Sequence, residues 1–156
     1  AALAARQYAI DNAHRIKGLG PNSWGMSASI SPSTGYSGAY GSHPIAVWHK
    51  LLEDGTVAPY GSLSFLPFTP KESIDALNHM YPIPGLVGEY GLYDAYSYVT
   101  KANGDLPWIG KSYLGIDKGL VLLMFENYST QLIWKLLHQN KSIQKGLKRL
   151  AFRQNN

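Results

Sequence analysis

The sequence predicts an all-α fold with about five helices and one large loop region. Two observations support this prediction. Helix start and stop signals mark about five segments, and a stretch rich in Gly, Ser, Pro and Tyr separates the first two helices, at about residues 22–68. At 156 residues the chain is long enough for one domain but not two, so we expect a single segment spanning residues 1–156.

Composition excludes several classes of protein. Hydrophobic residues make up 45% of the chain and charged residues 15%, so the chain can build a core and is not a disordered tail. It contains no Cys, which excludes disulfides, thiolate zinc sites and a Cys nucleophile. No window approaches about 18 uninterrupted apolar residues, so no membrane span is predicted.

The formal net charge of +4 comes mainly from cations near the C-terminus, where the only nearby acid is Glu126. These cations are Lys135, Lys141, Lys145, Lys148, Arg149 and Arg153. They fall at the end of one predicted helix and on the next, and their attraction to helix C-terminal carbonyls explains most of the clustering. We therefore expect no nucleic-acid partner.

The first half of the chain is predicted to contain two helices around the loop region. The first helix covers residues 2–17 and is stopped by Gly18 and Gly20-Pro21. Large hydrophobic residues within 22–68 predict an ordered, aromatic-rich loop; they are Trp24, Trp48, Tyr60 and Phe65–Leu66. The second helix begins at Thr69-Pro70-Lys71-Glu72, a capping-box pattern, and ends near Tyr81.

The second half is predicted to contain the longest helix. Residues 85–99 are ambiguous between turn and helix, and residues 103–111 are predicted as loop. Over 117–138 apolar side chains point all round a helix, which predicts burial in a larger body than the other helices supply. Asn140 then begins a short amphipathic helix with Ile143, Leu147 and Leu150 on one side.

Among the carboxylates, Asp117 is the strongest candidate for chemistry. It opens the long helix, and the positive end of the helix dipole favours its ionised form. We therefore expect a low pKa, which suits a base or a charge stabiliser; the alternative is a simple N-cap. Glu126 lies nine residues further on and faces the opposite side, so it cannot pair with Asp117, and we expect a Lys or Arg partner for it.

Aromatic residues beside a carboxylate suit sugar binding, and Asp94 lies between Tyr93 and Tyr96. The other aromatic candidates are Trp24, Tyr36, Tyr40, Trp48, Tyr60 and Tyr90, each of which has a core position as its alternative. The five His show no metal-ligand spacing, and Gly-x-Ser-x-Gly and phosphate-binding Gly patterns are absent from the sequence. No metal or organic cofactor is indicated. Glycoside hydrolysis, which uses carboxylates and a stacking cleft, is the enzyme class that remains.

Seven short segments follow one another along the chain: Asn22-Ser-Trp-Gly-Met-Ser-Ala-Ser29, Glu53-Asp-Gly-Thr-Val-Ala-Pro-Tyr60, Leu66-Pro-Phe68, Tyr90-Gly-Leu-Tyr-Asp-Ala-Tyr-Ser97, Tyr113-Leu-Gly-Ile-Asp-Lys-Gly119, Glu126-Asn-Tyr128 and Gly146-Leu-Lys-Arg-Leu150. Taken in this order, they resemble the C-terminal part of the bacterial glucoamylase-like glycoside hydrolases, which include endo-β-1,2-glucanases and relatives linked to cyclic β-1,2-glucan synthases. The similarity covers about residues 6–152.

The resemblance implies that residues 1–156 are the C-terminal part of an (α/α)6 toroid with a sugar cleft, and that the N-terminal portion of the toroid is a partner. It implies an inverting hydrolase that acts on a β-glucan, with β-1,2-glucan or its oligosaccharides as the expected substrate, in a periplasmic or secreted location. Asp117 would be the general base, and the general acid would lie upstream. The residues that would contact sugar are Trp24, Tyr36, Tyr40, Asp94 and Tyr113.

The sequence departs from the family pattern at three places. Ile30-Ser31-Pro32-Ser33 stands where an acidic residue is frequent, Ser129 where Arg is frequent, and Lys118 where Gln is frequent. Lys118 is expected to lower the pKa of Asp117 further. Two other classes remain open at this point: a non-catalytic carbohydrate-binding helical module, and a structural domain in which the aromatic residues all form core.

Overall fold

The computed structural model describes residues 1–43, 51–101 and 105–152, so Trp48 lies outside the described residues. Helices account for most of the regular structure in these ranges. They are α1 (Ala2–Asn12), α2 (Pro59–Leu63), α3 (Pro70–Met80), α4 (Gly115–Ser129), α5 (Leu132–Gln139) and α6 (Lys141–Arg149).

Seven short strands form three antiparallel sheets within the described ranges. The first sheet pairs β1 (Ser29–Ser31) with β2 (Gly35–Ser37). The second has the order β3-β6-β7, from β3 (Thr56–Val57), β6 (Ala95–Lys101) and β7 (Pro107–Gly110). The third pairs β4 (Val87–Gly88) with β5 (Gly91–Leu92).

The predicted predominance of helices is therefore confirmed, but the fold is not all-α, because the described chain also contains three small sheets. Residues 95–101 and 107–110 are strands rather than turn or loop. Aromatic and β-branched side chains in β6 suit a pleated surface, and pairing of Tyr96 with both Val57 and Ile109 makes β6 the central strand. These partners are distant in sequence, so no local signal announces them.

The core lies where the loop after α1 meets α2, α3 and the central sheet. Trp24 stacks on Phe65 with ring centroids 6.4 Å apart, and the hydroxyls of Ser23 and Tyr96 are hydrogen-bonded at 2.7 Å. Met80 at the end of α3 is fully buried in the same cluster. The predicted order of this aromatic-rich loop is thus confirmed for its described residues, 22–43 and 51–68, which also contain β1, β2, β3 and α2.

Two glycines allow the loop to approach α2 at backbone distance. Gly25 has φ 108°, and a Cβ on it would lie 2.7 Å from the amide nitrogen of Ser62. A Cβ on Gly61 would collide with the backbone oxygen of Gly25, which also accepts a hydrogen bond from the Ala58 amide at 3.4 Å. The loop therefore has its place against α2 because neither position carries a side chain.

Local start signals mark two helices correctly. Thr69 is the N-cap of α3 and Pro70 its first residue, as predicted, but the Thr69 side chain makes no capping hydrogen bond. Asn140 caps α6 by accepting from the amides of Ser142 and Ile143 at 2.9 and 3.3 Å. The first helix ends at Asn12, earlier than predicted, and continues in turns.

The long predicted helix breaks into α4 and α5. Gln131 adopts a left-handed conformation with φ 61°, and the Leu132 amide donates to Thr130 Oγ1 at 3.1 Å. Asn127 Oδ1 accepts from the Trp134 amide at 3.1 Å. These polar side chains give the backbone alternative partners at a position that apolar periodicity treats as continuous.

Helix α4 is not buried by the rest of the described chain. Its buried residues are Asp117 and Asn127, whereas large apolar residues on its other faces are exposed. The exposed residues are Ile116, Leu120, Leu122, Leu123 and Phe125. Among the described helices none is long and apolar enough to cross a membrane.

Replacing Gly61 by Ala tests the backbone approach. We expect Gly61→Ala to lower the free energy of unfolding by about 1–3 kcal/mol, because the added methyl collides with the Gly25 backbone. Gly119→Ala is the matched control: open space surrounds Gly119 in α4, so the helix should gain about 0.5–1 kcal/mol. Urea unfolding measures both variants, and equal stability of the two would contradict this account.

Candidate active site

A cavity of about 390 Å³ lies between α2, α3, the β4–β5 hairpin and α4. Asp94, Asp117 and Lys118 are the charged residues among its lining. Most of the remaining wall is apolar or aromatic. The aromatic residues of the wall are Tyr60, Tyr81, Tyr90, Tyr93 and Phe125. Two carboxyl groups thus share a cavity that offers them little solvation.

Asp94 is fixed immediately before β6. Its amide donates to the Ser112 carbonyl at 3.0 Å, and its Oδ2 accepts from the Ile30 amide at 2.6 Å. The second contact attaches β1 to the edge of the cavity. Asp94 is only 4% exposed, and its Oδ1 is buried with no hydrogen-bond donor.

Asp117 lies in the first turn of α4, where the N-cap is Leu114. The alternative that Asp117 is a simple N-cap is therefore wrong. Its amide donates to the Leu114 carbonyl at 3.1 Å, its side chain is buried, and its Oδ2 has no hydrogen-bond donor. The carboxyl group is instead in hydrogen-bonding contact with that of Asp94.

The pKa of Asp117 is raised to about 7, not lowered as predicted. Burial is the largest cause, and the hydrogen bond and negative charge of Asp94 add to it. Lys118 lowers this pKa, as the sequence indicated, but is outweighed. The helix dipole is a local effect, whereas burial and Asp94 come from elements distant in sequence.

Lys118 points from α4 towards the β4–β5 hairpin. Its ammonium group donates to the Leu92 carbonyl and lies 5.3 Å from the ring centroid of Tyr113. Burial lowers the pKa of Lys118, while Asp94 and Asp117 raise it. This side chain therefore joins the hairpin to the helix and places a cation beside the carboxyl pair.

Three tyrosines form one cluster next to the cavity. Tyr113 stacks on Tyr93 with centroids 4.8 Å apart, and meets Tyr90 edge-on at 5.3 Å. The Tyr90 amide donates to the Tyr113 hydroxyl oxygen at 3.2 Å. A Cβ on Gly88 would collide with both Tyr93 and Tyr113, so this glycine in β4 makes room for the stacked pair.

The predicted site residues fall into two groups. Asp94, Asp117 and Tyr113 come together around the cavity. Trp24 is 1% exposed and packs on Phe65 in the core, so the prediction that its ring contacts sugar is wrong.

Of the two remaining aromatic candidates, Tyr40 is buried and Tyr36 is exposed. Tyr40 is 5% exposed and donates to Asp54 Oδ2 at 2.7 Å, so its predicted contact with sugar is also wrong. Tyr36 on β2 is 58% exposed and free to meet a ligand. Burial of the first ring and exposure of the second depend on the surrounding fold, which composition does not report.

Tyr60, Lys118 and Tyr93 also line the cavity, although they were not among the predicted sugar contacts. Burial raises the pKa of the Tyr60 hydroxyl, the hydrogen bond with Ser27 at 2.7 Å opposes this, and the charge of Asp117 adds to it. The family-like motif Tyr113-Leu-Gly-Ile-Asp-Lys-Gly119 contained the signal for Lys118.

Glu126 is not part of the cavity lining. Thr130 Oγ1 donates to its Oε1 at 2.5 Å, and in the described part of the chain no Lys or Arg pairs with it, so the predicted cationic partner is wrong. Within residues 1–43, 51–101 and 105–152, no group of three or more His, Cys, Asp or Glu could hold a metal ion.

Comparison with known proteins assigns the class to which this fold and site belong. A family model described as "Putative glucoamylase" matches residues 1–141. The chain belongs to this glucoamylase-like family.

Individual relatives carry more specific names than the family model does. An exo β-1,2-glucooligosaccharide sophorohydrolase (non-reducing end) of Parabacteroides distasonis is 32% identical over 148 residues, which cover 93% of this chain and 18% of that protein. The structure of an endo-β-1,2-glucanase from Chitinophaga pinensis, in complex with sophorotriose and glucose, matches with TM-score 0.75 and 35% identity over 96% of this chain and 33% of that one.

A β-1,2-glucanase structure from Parabacteroides distasonis matches with TM-score 0.76 and 32% identity, over 94% of this chain and 19% of that one. The chain thus spans a third or less of the length of these relatives.

The raised pKa of Asp117 predicts a pH-dependent stability. In the folded state Asp117 keeps its proton up to about pH 7, whereas in the unfolded state it releases the proton near pH 4. The stability that the folded protein gains from this proton therefore falls as pH rises towards about 7, and it is absent above that pH. Relative to the native protein, Asp117→Asn should therefore gain about 1–3 kcal/mol in unfolding free energy between pH 5 and pH 8. Urea unfolding at both pH values measures this difference, and parallel stability curves would contradict it.

Proposed function

We propose that this chain forms part of an inverting glycoside hydrolase that acts on β-1,2-glucan or its oligosaccharides. The observation that carries the proposal is the buried carboxyl group of Asp117 in an aromatic-walled cavity, beside Asp94. Aromatic walls stack on the apolar faces of sugar rings, and a base that titrates near neutral pH is suited to activate water. The relatives named above as β-1,2-glucan hydrolases support the substrate class.

Asp117 takes the role of general base in this proposal. One proton passes from water to its carboxylate as the water oxygen attacks the anomeric carbon. Tyr93 lines the cavity with Tyr113 stacked on it, and Tyr36 on the β1–β2 hairpin offers an exposed ring. These residues are the proposed sugar contacts.

The general acid is proposed to come from outside this chain. An inverting pair needs carboxyl groups about 6.5–9.5 Å apart, with room for water between them. Asp94 is in direct contact with Asp117 and is too close for that role. The described lining of the cavity contains no further Asp or Glu.

We further propose that residues 1–156 are the C-terminal part of an (α/α)6 toroid, with the N-terminal portion as partner. The exposed apolar faces of α4, and the share of each relative that the chain spans, support this architecture. A periplasmic or secreted location stays a prediction.

A carbohydrate-binding module without catalysis is the second candidate function. The specific observation in its favour is the absence of an acid from the described cavity lining at the separation that inversion needs. This candidate predicts that the protein binds β-1,2-gluco-oligosaccharides and releases no reducing ends.

Replacing Asp117 by Asn tests the proposed catalytic role. We expect the purified hydrolase to lose about 10²–10⁴-fold in kcat on β-1,2-glucan, because the amide cannot accept the proton from water. Binding of the oligosaccharide, measured by calorimetry, should persist. Reducing-end release is the readout.

The matched control for this test is Asp75→Asn, at an α3 carboxylate that pairs with Lys71 and is not part of the cavity lining. It should retain full activity. Unchanged hydrolysis by the Asp117→Asn variant would overturn the assignment of the base. Binding without hydrolysis by the native protein would favour the second candidate.

A further inference from the structure

Two buried carboxylate oxygens in the cavity have no hydrogen-bond donor: Asp94 Oδ1 and Asp117 Oδ2. We infer that Asp94 and Asp117 share one proton, so that together they hold a single negative charge, and that Asp94 is the positioning residue for Asp117. With this proton present, one carboxyl group donates and the other accepts. The shared proton thus accounts for a contact between two groups that would otherwise both be acceptors.

Hydrogen bonds fix Asp94 and the first turn of α4, which limits how far the two groups can move apart. Asp94 is held through its Oδ2 by the Ile30 amide and through its own amide by the Ser112 carbonyl. Asp117 belongs to the first turn of α4, where its amide bonds to Leu114. Both residues are buried, at 4% and 7% exposure, so little water is available to hydrate two full charges.

The surrounding charges favour one proton rather than none. Lys118 is the cation that faces the pair from α4, and its ammonium group already donates to Leu92. The other titratable groups along the wall of the cavity are phenols. Tyr60, Tyr81, Tyr90 and Tyr93 line the cavity, and Tyr113 packs behind it on Tyr93. One cation and one net negative charge give a neutral site, whereas two ionised carboxylates would leave an excess charge in an apolar cavity.

The pair gives the proposed base a defined starting state, and this consequence rests on the proposed function. The ionised carboxyl group of the pair accepts the proton from the attacking water, and the pair becomes neutral. The bond from the anomeric carbon to the leaving oxygen breaks, and a carboxylic acid from outside this chain protonates that oxygen. The pair returns to its starting state by releasing one proton to solvent.

The first test is a titration of aspartate carboxyl ¹³C resonances in the purified protein, assigned by Asp94→Asn and Asp117→Asn. In the native protein the two carboxyl groups should give two-step curves with the same two midpoints, because interacting groups titrate as a pair. Independent single-step curves would overturn the proposal. The titration curves are recorded on the native protein, and the two variants serve only to assign its resonances.

The second test is the Asp94→Asn variant. The asparagine removes the neighbouring charge and can donate to the Asp117 carboxylate, so the Asp117 midpoint should fall by more than about one pH unit. Asp75→Asn is the control and should leave that midpoint unchanged. A shift of less than about half a unit in Asp94→Asn would assign the raised midpoint to burial alone and overturn the proposal.

Neither titration uses a substrate, so failure of the pair and failure of the proposed function are distinguishable. A coupled titration in a protein that does not hydrolyse glucan leaves the shared proton and removes the catalytic role. Hydrolysis with independent titration curves removes the shared proton and leaves the catalytic role.

Discussion

The structure around the cavity depends on the fixed position of the Asp94 carboxyl group. One oxygen accepts from Ile30 in the β1–β2 sheet, while the backbone of Asp94 bonds to Ser112 between β7 and α4. The carboxyl group also contacts Asp117 on α4. A single buried residue thus joins a hairpin, the end of the central sheet and the helix that carries the proposed base.

The aromatic residues support this arrangement by their packing. Gly88 lets Tyr93 and Tyr113 stack closely, and Lys118 lies against Tyr113 while it bonds to Leu92. The hairpin is therefore attached to α4 through a ring and a cation. Tyr93 also lines the cavity that holds Asp94 and Asp117, which links the packing of the hairpin to the ionisation of Asp117.

Local features of this structure could be predicted from sequence, and features that depend on distant partners could not. Pro70 and Asn140 act within their own helices, so their positions were predicted correctly. Asp94 and Asp117 were chosen from their immediate neighbours, but their contact with each other depends on the folded chain. Strand β6 pairs with residues 56–57 and 107–110, and the burial of Trp24 and Tyr40 depends on elements far along the chain.

The cavity and the exposed apolar surface of α4 are continuous, because Leu122 and Phe125 belong to both. Leu122 is 70% exposed, so water reaches the cavity along this side of the helix. Any surface that packs on these two residues, including the proposed remainder of the toroid, would exclude that water. Exclusion of water penalises the charged form of a buried acid, and so strengthens the hold of the carboxyl pair on its proton. The ionisation of the proposed base is therefore coupled to the covering of the helix that carries it.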